Sequence, residues 1–495
     1  MIFSSYPYLI FFALALLIFL LIESRLPRYQ RVFLLLVSLL FYAWWRIDFL
    51  ALLLGSTLVN FAVGARILRC RSINRSPQAW LLAGLVFNLA LIGVFKYAGL
   101  FASSANNLLG LTLPIPQFFL PLAISFFTFE QISYLVDAAR GQAPRYSWLD
   151  YSLFVGFFPH LIAGPIIRHG DLIPQFHMTR KRSARDADIA LGLTLFTIGL
   201  AKKVLIADTI APYADTVFSA ANHGVAIGCA DAWLGTLFFT FQIYFDFSGY
   251  TDMALGSACA FGIRLPFNFN SPYKAASIID FWRRWHISLS SFLRDYLYIG
   301  LGGNQRGVMR RYGNLFTTML LGGLWHGANW TFVIWGGLHG LYLIVNHAWR
   351  HVVVRYRLVA PAVLHGPLTA VSVLITFAAT FAAWVMFRAE SVASAANIFR
   401  GLLGRGGDSQ MLSLDATTIV GFALLFAIIW FAPNSMEMTW RYRPALPPTA
   451  SKFQLDDTSR LAWQPTRVRA VIVGVVALIS LLAISSLSPF IYFQF

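Results

Sequence analysis

The chain has 495 residues, of which 58% are hydrophobic and only 12% are charged. Soluble domains carry roughly 25% charged residues, so this composition excludes an ordinary soluble protein and indicates a membrane protein. The net charge of +17 falls in clusters between apolar runs, which indicates membrane topology and not a nucleic-acid partner.

Apolar runs long enough to cross a bilayer recur along the chain, and with shorter segments they predict about eleven transmembrane helices. We therefore expect an all-α polytopic membrane protein, in which re-entrant and amphipathic helices surround a central tunnel. The first run lacks the basic start and small-residue cleavage site of a signal peptide, so it should be a retained helix. The main runs are 6–22, 79–99, 117–136, 189–207, 233–260, 368–387, 419–431 and 468–487.

Basic and non-basic loops alternate along the sequence. The segments 66–75 and 168–185 are rich in arginine, whereas 100–116 contains no charged residue. Basic loops face the cytoplasm in membrane proteins. Both termini are therefore predicted to lie on the outer side, with the basic clusters inside.

Two apolar segments, 32–45 and 154–166, are too short to cross a bilayer alone. The second contains Pro159, Gly164 and Pro165. Non-helical backbone at membrane depth survives only when it is buried in protein or lines a cavity. We therefore expect re-entrant elements around an internal space.

Apolar and charged side chains separate onto two faces between residues 275 and 299. Apolar positions recur at spacings of three and four, while Arg283, Arg284, Arg294 and Asp295 lie on the opposite face. The pattern predicts one amphipathic helix at the cytoplasmic interface or lining a funnel. A plain interfacial anchor is the alternative interpretation.

The rest of the organisation is simple, since residues 1–495 are predicted to form one integral-membrane domain. The segment 434–464 is polar and proline-rich, which predicts an extended cytoplasmic loop without a fold of its own. The aromatic segment 488–495 is predicted to be a short external tail, for which an anchor at the membrane surface is one interpretation.

His326 is the most informative single residue. It lies within residues 315–345, a stretch that contains no Lys, Arg, Asp or Glu. An imidazole at that depth stays neutral at pH 7, which suits a general base, and intramembrane titratable residues mark functional sites. The alternative is a buried histidine satisfied by a neighbouring helix. Asn329, three residues further on, would orient its ring.

His286 lies among arginines in the amphipathic segment and is the second candidate catalytic residue. A phosphate-bearing ligand needs fixed positive charge, which guanidinium groups supply. Topological charge explains any one of these arginines equally well. The candidate donor-binding residues are Arg283, Arg284, Trp285, Arg306, Arg310 and Arg311.

Other patterns are weaker. His347 and His351 lack the glutamate that a zinc hydrolase motif requires. The three cysteines are isolated and form neither a disulfide framework nor a metal pair, so no metal is expected. Asp246 and Asp252 lie in an apolar stretch and need partners, so we expect them to make structural contacts. Ser409 follows Gly-Asp as in some hydrolases, but no Asp-x-x-His segment accompanies it.

Two segments resemble the membrane-bound O-acyltransferase family, and most of all its bacterial alginate-acetylating members. They are DFWRRWHISLSSFLRDYLYIGLGGN at residues 280–304 and LLGGLWHGANWTFVIWGGLHG at residues 320–340. The likeness extends to FYAWWRIDFLAL, FPHLIAGPIIR, YFDFSGYTDMALG and the terminal SPFIYFQF. It therefore covers nearly the whole chain.

The resemblance implies an enzyme that moves an acetyl group from cytoplasmic acetyl-CoA across the bacterial inner membrane. The acetyl group would modify an exported polysaccharide of the alginate type. In the family, the essential histidine matches His326, in a tunnel that joins a cytoplasmic funnel to the outer face, and His286 matches a histidine nearer the entrance. A related alanyl-transfer system suggests that Tyr492 is an acyl relay.

The partners implied by the resemblance are a periplasmic serine-dependent acetyltransferase, a polysaccharide biosynthesis and export complex, and membrane lipids. Cellulose, another exopolysaccharide or peptidoglycan stay open as the acceptor, and another acyl group or an acyl carrier protein stays open on the donor side. A non-catalytic transporter of the acetyl donor would normally show repeat symmetry, which the sequence lacks. A scaffold subunit would not need paired histidine motifs.

Overall fold

Regular secondary structure in this computed structural model is helical throughout the residues that it describes. An isolated bridge between Pro266 and Leu446 is the one β-type contact among them. The prediction of an all-α protein is therefore confirmed. The described residues are 1–116, 118–162, 164–178, 181–357, 361–413, 415–446, 462–484 and 491.

Five helical segments among these residues are long and apolar enough to cross a membrane, or six if the bent pair Thr418–Phe431 and Ser435–Tyr442 forms one span. The chain is a multi-pass membrane protein, but the predicted total of about eleven spans is not confirmed. Part of the difference lies in the helix Cys229–Ala260. Its buried polar side chains, among them Asp246 and Asp252, make it less apolar than a lipid-facing span.

The N-terminal helices have apolar outer faces and are joined by buried polar contacts. Asn60 and Asn88 exchange side-chain amide hydrogen bonds of 3.2 and 2.6 Å between α3 and α4, a contact that holds helices together where water is absent. The run 117–136 is not one helix, because Pro121 precedes a start at Ile124. The helices are α1 (Tyr6–Arg25), α2 (Gln30–Ala43), α3 (Ile47–Ser72), α4 (Gln78–Ile92), α5 (Ala98–Leu109) and α6 (Ile124–Arg140).

The middle of the chain contains α12 (Cys229–Ala260), a long and mostly buried helix. It packs against α10 (Arg182–Ala201) at two glycine pairs, Gly192 with Gly256 and Gly199 with Gly249, where a Cβ atom would lie 2.4–2.7 Å from a backbone oxygen of the other helix. As predicted, the segment 154–166 is broken into short pieces. The helices are α7 (Trp148–Gly156), α8 (Phe158–Leu161), α9 (His169–Leu172), α10 (Arg182–Ala201), α11 (Asp208–Asn222) and α12 (Cys229–Ala260).

Two buried ion pairs join α12 to the π-helical turn Lys202–Ala207. Lys203 lies 2.6 Å from Asp246, and Lys202 lies 2.7 Å from Asp252. Charged groups at membrane depth need such partners. Both aspartates thus make the structural contacts that the sequence predicts.

The C-terminal part carries the histidine motifs. Its helices are α13 (Ile278–Arg284), α14 (Ile287–Phe292), α15 (Val308–His326), α16 (Trp330–Arg355), α17 (His365–Arg388), α18 (Val392–Leu402), α19 (Ala416–Phe431), α20 (Ser435–Thr439) and α21 (Arg467–Leu482). The prediction of one continuous amphipathic helix over 275–299 is wrong, because the chain breaks between α13 and α14. Most apolar side chains of this segment are buried in the protein, so it is no simple interfacial anchor.

Two predictions concern the C-terminal region, and the first needs correction. The segment 434–464 begins with structure of its own, since Asn434 caps α20 and donates to Asn270 and Ser271 at 2.9 Å. Within the segment 488–495 the structure describes Ile491, which is buried and donates its backbone N–H to Asp246 at 3.1 Å. This residue therefore packs against α12, and the external position of the segment stays a prediction.

The contact between α15 and α16 gives a stability prediction. A Cβ atom on Gly336 would lie 2.3 Å from the backbone oxygen of Met319, whereas one on Gly337 would meet only side-chain atoms, of Leu320 at 3.5 Å and of Phe316 at 3.8 Å. We expect Gly336→Ala to lower stability by about 1–3 kcal/mol, because the backbones must separate. Thermal unfolding midpoints in detergent test this.

Gly337→Ala is the matched control, since it adds the same methyl group to the same helix. Its unfolding midpoint should equal or exceed that of the wild type, because alanine favours helix. Equal losses in the two variants would contradict the close contact at Gly336.

Candidate active site

His286 occupies the break between α13 and α14. Trp285 is extended, with φ −102° and ψ 128°, and His286 has left-handed backbone angles of φ 43° and ψ 56°. This conformation costs a non-glycine residue about 1 kcal/mol or more. It reverses the chain direction locally and points the His286 side chain into the protein, where it has no exposure.

An extended loop stabilises this break by satisfying its backbone. Ile287 donates its N–H to the carbonyl of Asn268 at 3.0 Å, and Asn270 donates to the carbonyl of Arg284 at 2.9 Å. The Asn268 side-chain oxygen accepts from both the N–H and the hydroxyl of Ser288, at 3.1 and 2.7 Å. Unsatisfied backbone groups are costly in a membrane, so the loop makes the break possible.

His326 is the last residue of α15 and is buried, with 5% of its surface exposed. The burial that the sequence predicts is therefore observed. Aromatic rings surround the imidazole, at centroid distances of 4.9 Å from Trp325, 5.0 Å from Trp335 and 5.3 Å from Phe387.

The break and the helix end bring the two motif histidines together. Their ring centroids are 6.5 Å apart, close enough that one bound group can contact both. His286 is closed off by Phe247 at 4.8 Å and Trp325 at 6.2 Å. The sequence interpretation placed His286 among arginines near the entrance, whereas the structure buries it beside His326. We call this enclosure, formed by Phe247, Trp325, Trp335 and Phe387 around the two imidazoles, the aromatic chamber.

A cavity of about 430 Å³ lies beside the aromatic chamber, within the size range of small-molecule sites. Its lining includes Ile287, the residue after His286, and is mostly apolar. Its polar lining comes from Arg283, Arg294, Tyr298 and His347, among other residues. A second cavity of about 300 Å³ lies across α14 and shares Ile287 and Ser291 with the first.

The model of the membrane-bound O-acyltransferase family matches residues 94–387, a range that contains both motif histidines and most of the larger cavity's lining. The chain belongs to this family. It is therefore an acyltransferase, and its substrates include an acyl donor.

Curated relatives match over most of the chain. The probable alginate O-acetylase AlgI of Pseudomonas putida is 42% identical over 478 residues, which cover 94% of this chain and 95% of that protein. The peptidoglycan O-acetyltransferase of Helicobacter pylori is 38% identical over 501 residues, covering 95% and 93%. The teichoic acid D-alanyltransferase of Bacillus subtilis is 29% identical over 233 residues, covering 45% and 58%.

The predicted donor-binding residues of this O-acyltransferase separate into three groups. Arg283 lines the larger cavity. Arg284 pairs with Asp280 at 2.9 Å, and Trp285 is fully buried, so neither lines the cavity. The remaining arginines lie at or before the start of α15. Arg306 and Arg310 are exposed, and the Arg311 guanidinium stacks on the Tyr312 ring at 5.0 Å.

Arg294 lines the same cavity but did not enter the predicted donor site. Its guanidinium donates to Asp295 at 2.6 Å, and Arg168 also pairs with Asp295. Partial burial opposes ionisation, but the two guanidinium groups together hold the pKa of Asp295 below its usual range. The carboxylate therefore stays charged at neutral pH and partly neutralises Arg294.

Two further predictions concern single residues. Asn329 caps α16: its side-chain oxygen accepts from the N–H of Thr331 at 3.1 Å, and its amide donates to the carbonyl of Glu390 at 2.6 Å. These contacts give it a capping role in place of the predicted ring-orienting role. Tyr492 lies outside the described residues.

Sequence reasoning missed His339, a third buried histidine. Its ring lies 4.7 Å from Trp335, which also contacts His326, and 5.1 Å from Trp282, which lines the larger cavity. His339 therefore stabilises the wall between cavity and chamber. It lies in the same uncharged stretch as His326, so the argument that found His326 also applies to it.

Sequence reasoning also missed a buried glutamate–histidine pair and a lysine. Glu130 and His160 form a fully buried pair, 3.1 Å apart, between α6 and α8. Lys96 is the one charged residue in the apolar run 79–99 and reaches the end of α15. Among the described residues, no three His, Cys, Asp or Glu side chains are grouped to hold a metal ion.

The loop that supports His286 gives the second prediction. We expect Asn268→Ala to lower both stability and acyltransferase turnover, since two buried donors of Ser288 lose their acceptor, at about 1–3 kcal/mol each. Ser72→Ala is the control, because its exposed hydroxyl makes one bond, of 2.8 Å to the carbonyl of Arg69, and lines neither cavity. Thermal unfolding and turnover in proteoliposomes measure both effects, and wild-type behaviour of Asn268→Ala would contradict the supporting role.

Proposed function

We propose that the protein transfers an acetyl group from cytoplasmic acetyl-CoA across the bacterial inner membrane for O-acetylation of an exported polysaccharide. The observation that carries this proposal is the meeting of His286 and His326 in the aromatic chamber, beside a cavity with basic residues. The whole-length similarity to proteins named as O-acetylases supports the acetyl group as the cargo.

His326 is the proposed general base. It takes the proton of the acceptor hydroxyl as the oxygen attacks the thioester carbonyl. The carbon–sulfur bond then breaks, and the proton passes to the leaving thiolate, so the products are an acetyl ester and free CoA. His286 contacts the same reacting groups from the opposite side. Enclosure by aromatic rings keeps out water that would hydrolyse the thioester.

The donor would bind in the larger cavity. Arg283 and Arg294 supply charge for its phosphates, and the apolar lining accommodates the pantetheine arm, which leads towards Ile287 and the chamber. The charges of Arg306, Arg310 and Arg311 would attract the anionic donor over a longer range. Arg284 and Trp285 do not line this cavity, so they are not part of the proposed donor site.

The acetyl group would leave on the outer side, through a tunnel from the chamber, to a periplasmic serine-dependent acetyltransferase of the polysaccharide export complex. Tyr492 is the proposed relay. Support comes from its neighbour Ile491, which bonds to Asp246, the residue next to Phe247 of the chamber wall. We propose outer positions for both termini, as the basic loops indicate.

The acceptor polymer is proposed to be alginate-like. A second candidate is peptidoglycan, which the relative from Helicobacter pylori favours at 38% identity, against 42% for AlgI. Reconstituted enzyme with each polymer and its periplasmic partner would distinguish the two by which one gains acetyl esters.

The first test of the function is His326→Ala in proteoliposomes loaded with acetyl-labelled CoA. We expect CoA release to fall to background while the amount of protein in the membrane stays unchanged, because the base is lost without a change in the helices. His351→Ala is the control and should keep full activity, because His351 is an exposed histidine on α16.

Label retained on the protein tests the relay in the same experiment. Tyr492→Phe should abolish covalent label if the phenol carries the acetyl group. Residual CoA release above background in His326→Ala would refute its role as base. If neither the wild type nor any variant releases CoA, even with an acceptor supplied, the result would favour a carrier-protein donor or a transporter.

The donor site gives a separate prediction. Arg283→Gln combined with Arg294→Gln should raise KM for acetyl-CoA roughly tenfold, the equivalent of one charge-assisted contact, and leave kcat nearly unchanged. Arg355→Gln, an exposed arginine at the end of α16 that does not line the cavity, is the control. Unchanged KM in the double variant would exclude this cavity as the donor site.

A further inference from the structure

The helix that carries His326 ends inside the protein, at the aromatic chamber. The last carbonyl groups of an α-helix have no partner within the helix, and the membrane interior supplies no water for them. Gly327 is extended, with φ −157° and ψ 151°, so the backbone does not continue the helix to satisfy them. Other parts of the chain must therefore provide the donors.

Two adjacent residues on a distant segment provide these donors. The Lys96 ammonium donates to the carbonyl of Trp325 at 2.5 Å and to that of His326 at 3.1 Å. The Tyr97 hydroxyl donates to the carbonyl of Leu324 at 2.9 Å. Three successive carbonyl groups at the end of α15 are thus satisfied by two side chains.

The position of Lys96 is built into the fold. It lies in the π-helical turn Gly93–Tyr97 between α4 and α5, a rare geometry that often marks functional positions. A lysine at membrane depth requires a partner, and backbone carbonyls are one of the arrangements that satisfy it. The C-terminal end of a helix also carries partial negative charge, which attracts a cation.

Lys96 also acts on the chamber wall through Trp325. Its ammonium lies 6.0 Å from the centre of the Trp325 ring, at the limit of a cation–π contact. The same ring packs against His326 at 4.9 Å and against His286 at 6.2 Å. One cation therefore fixes both the backbone of His326 and the aromatic ring that touches both imidazoles.

We propose that Lys96 is a positioning residue of the acyl transfer, which fixes the last turn of α15 so that the His326 imidazole is held at its working distance from the donor thioester. This inference rests on the proposed function of His326. Lys96 does not touch the reacting atoms in this proposal, and it acts through two carbonyl groups and one ring. Loss of its contacts frees the helix end while the glycine-packed contact of α15 with α16 remains.

The experiment compares Lys96→Met, Lys96→Arg and Tyr97→Phe with the wild type in proteoliposomes, using acetyl-CoA as the donor. Methionine keeps the length and apolar stem of lysine but donates nothing. We expect Lys96→Met to lower kcat for CoA release by roughly 10- to 100-fold, the effect of misplacing a catalytic group by about 1 Å. KM for acetyl-CoA should stay within about twofold of the wild type, because the donor cavity is unchanged.

Two variants separate positioning from general stability. Lys96→Arg keeps the charge and the donors and should recover a large part of kcat. Tyr97→Phe loses only the bond to Leu324 and should show a smaller fall in kcat, about two- to fivefold for one neutral hydrogen bond. If Lys96→Met does not accumulate in the membrane, the kcat values of Tyr97→Phe and Lys96→Arg test the positioning role in its place.

Hydrogen–deuterium exchange gives a readout that does not depend on activity. Backbone amides of residues 322–333 should exchange faster in Lys96→Met, and those of α21, which packs against α10, should not change. Faster exchange with unchanged kcat would overturn the positioning role, as would a change confined to KM. Absence of CoA release from the wild type would instead refute the proposed function, while the exchange comparison would still report whether Lys96 holds the helix end.

Discussion

A backbone that breaks or ends inside a membrane must find donors and acceptors within the protein, and this requirement governs the whole arrangement of the site. His286 lies at a break and His326 at a helix end. Both positions are possible because distant segments satisfy the freed groups, Asn268 at the first and Lys96 at the second. A side chain at such a point projects from the end of a helix, which lets imidazoles from two elements meet.

The same requirement explains why the surrounding helices pack so closely. Glycines let α10 approach α12 and α15 approach α16 at backbone contact distance, which leaves little room for the ends of α14 and α15 to shift. Ion pairs at Lys202 and Lys203 fix the same face of α12, since Gly249 also lies against these two residues. Because α12 also carries Phe247 of the chamber wall, a rigid α12 holds the Phe247 ring in place beside His286.

The sequence alone located much of the site, and its failures have physical causes. His326 could be found because an uncharged stretch makes a histidine conspicuous. The break at His286 could not, since apolar residues at helical spacing continue across it from Phe281 to Trp285 and Leu289. The contact of Lys96 with α15 joins residues about 230 positions apart, and no local pattern encodes it.

Other misses were within reach of local rules. Arg284 follows Asp280 by four residues on α13, a spacing that favours an ion pair, so its charge was a poor candidate for binding a donor. Asn329 precedes the first turn of α16 and is a preferred N-cap residue, which predicts capping before any contact with a ring. His339 shares the uncharged stretch that identified His326. The span count is not confirmed for a different reason, because buried polar side chains make the central helix α12 less apolar than a lipid-facing span.

The distribution of charge then limits the chemistry. Asp280 and Asp295 pair with Arg284 and Arg294 and neutralise part of the basic cluster, so a phosphate in the proposed donor site would meet a few geometrically defined guanidinium groups and not a uniform field. Inside the aromatic chamber the walls are apolar, and separated charges are expensive in such surroundings. A free alkoxide followed by later proton transfer would therefore be disfavoured. In the proposed mechanism His326 avoids this because it accepts the proton while the ester bond forms, which requires the imidazole to be in place before the acceptor reacts.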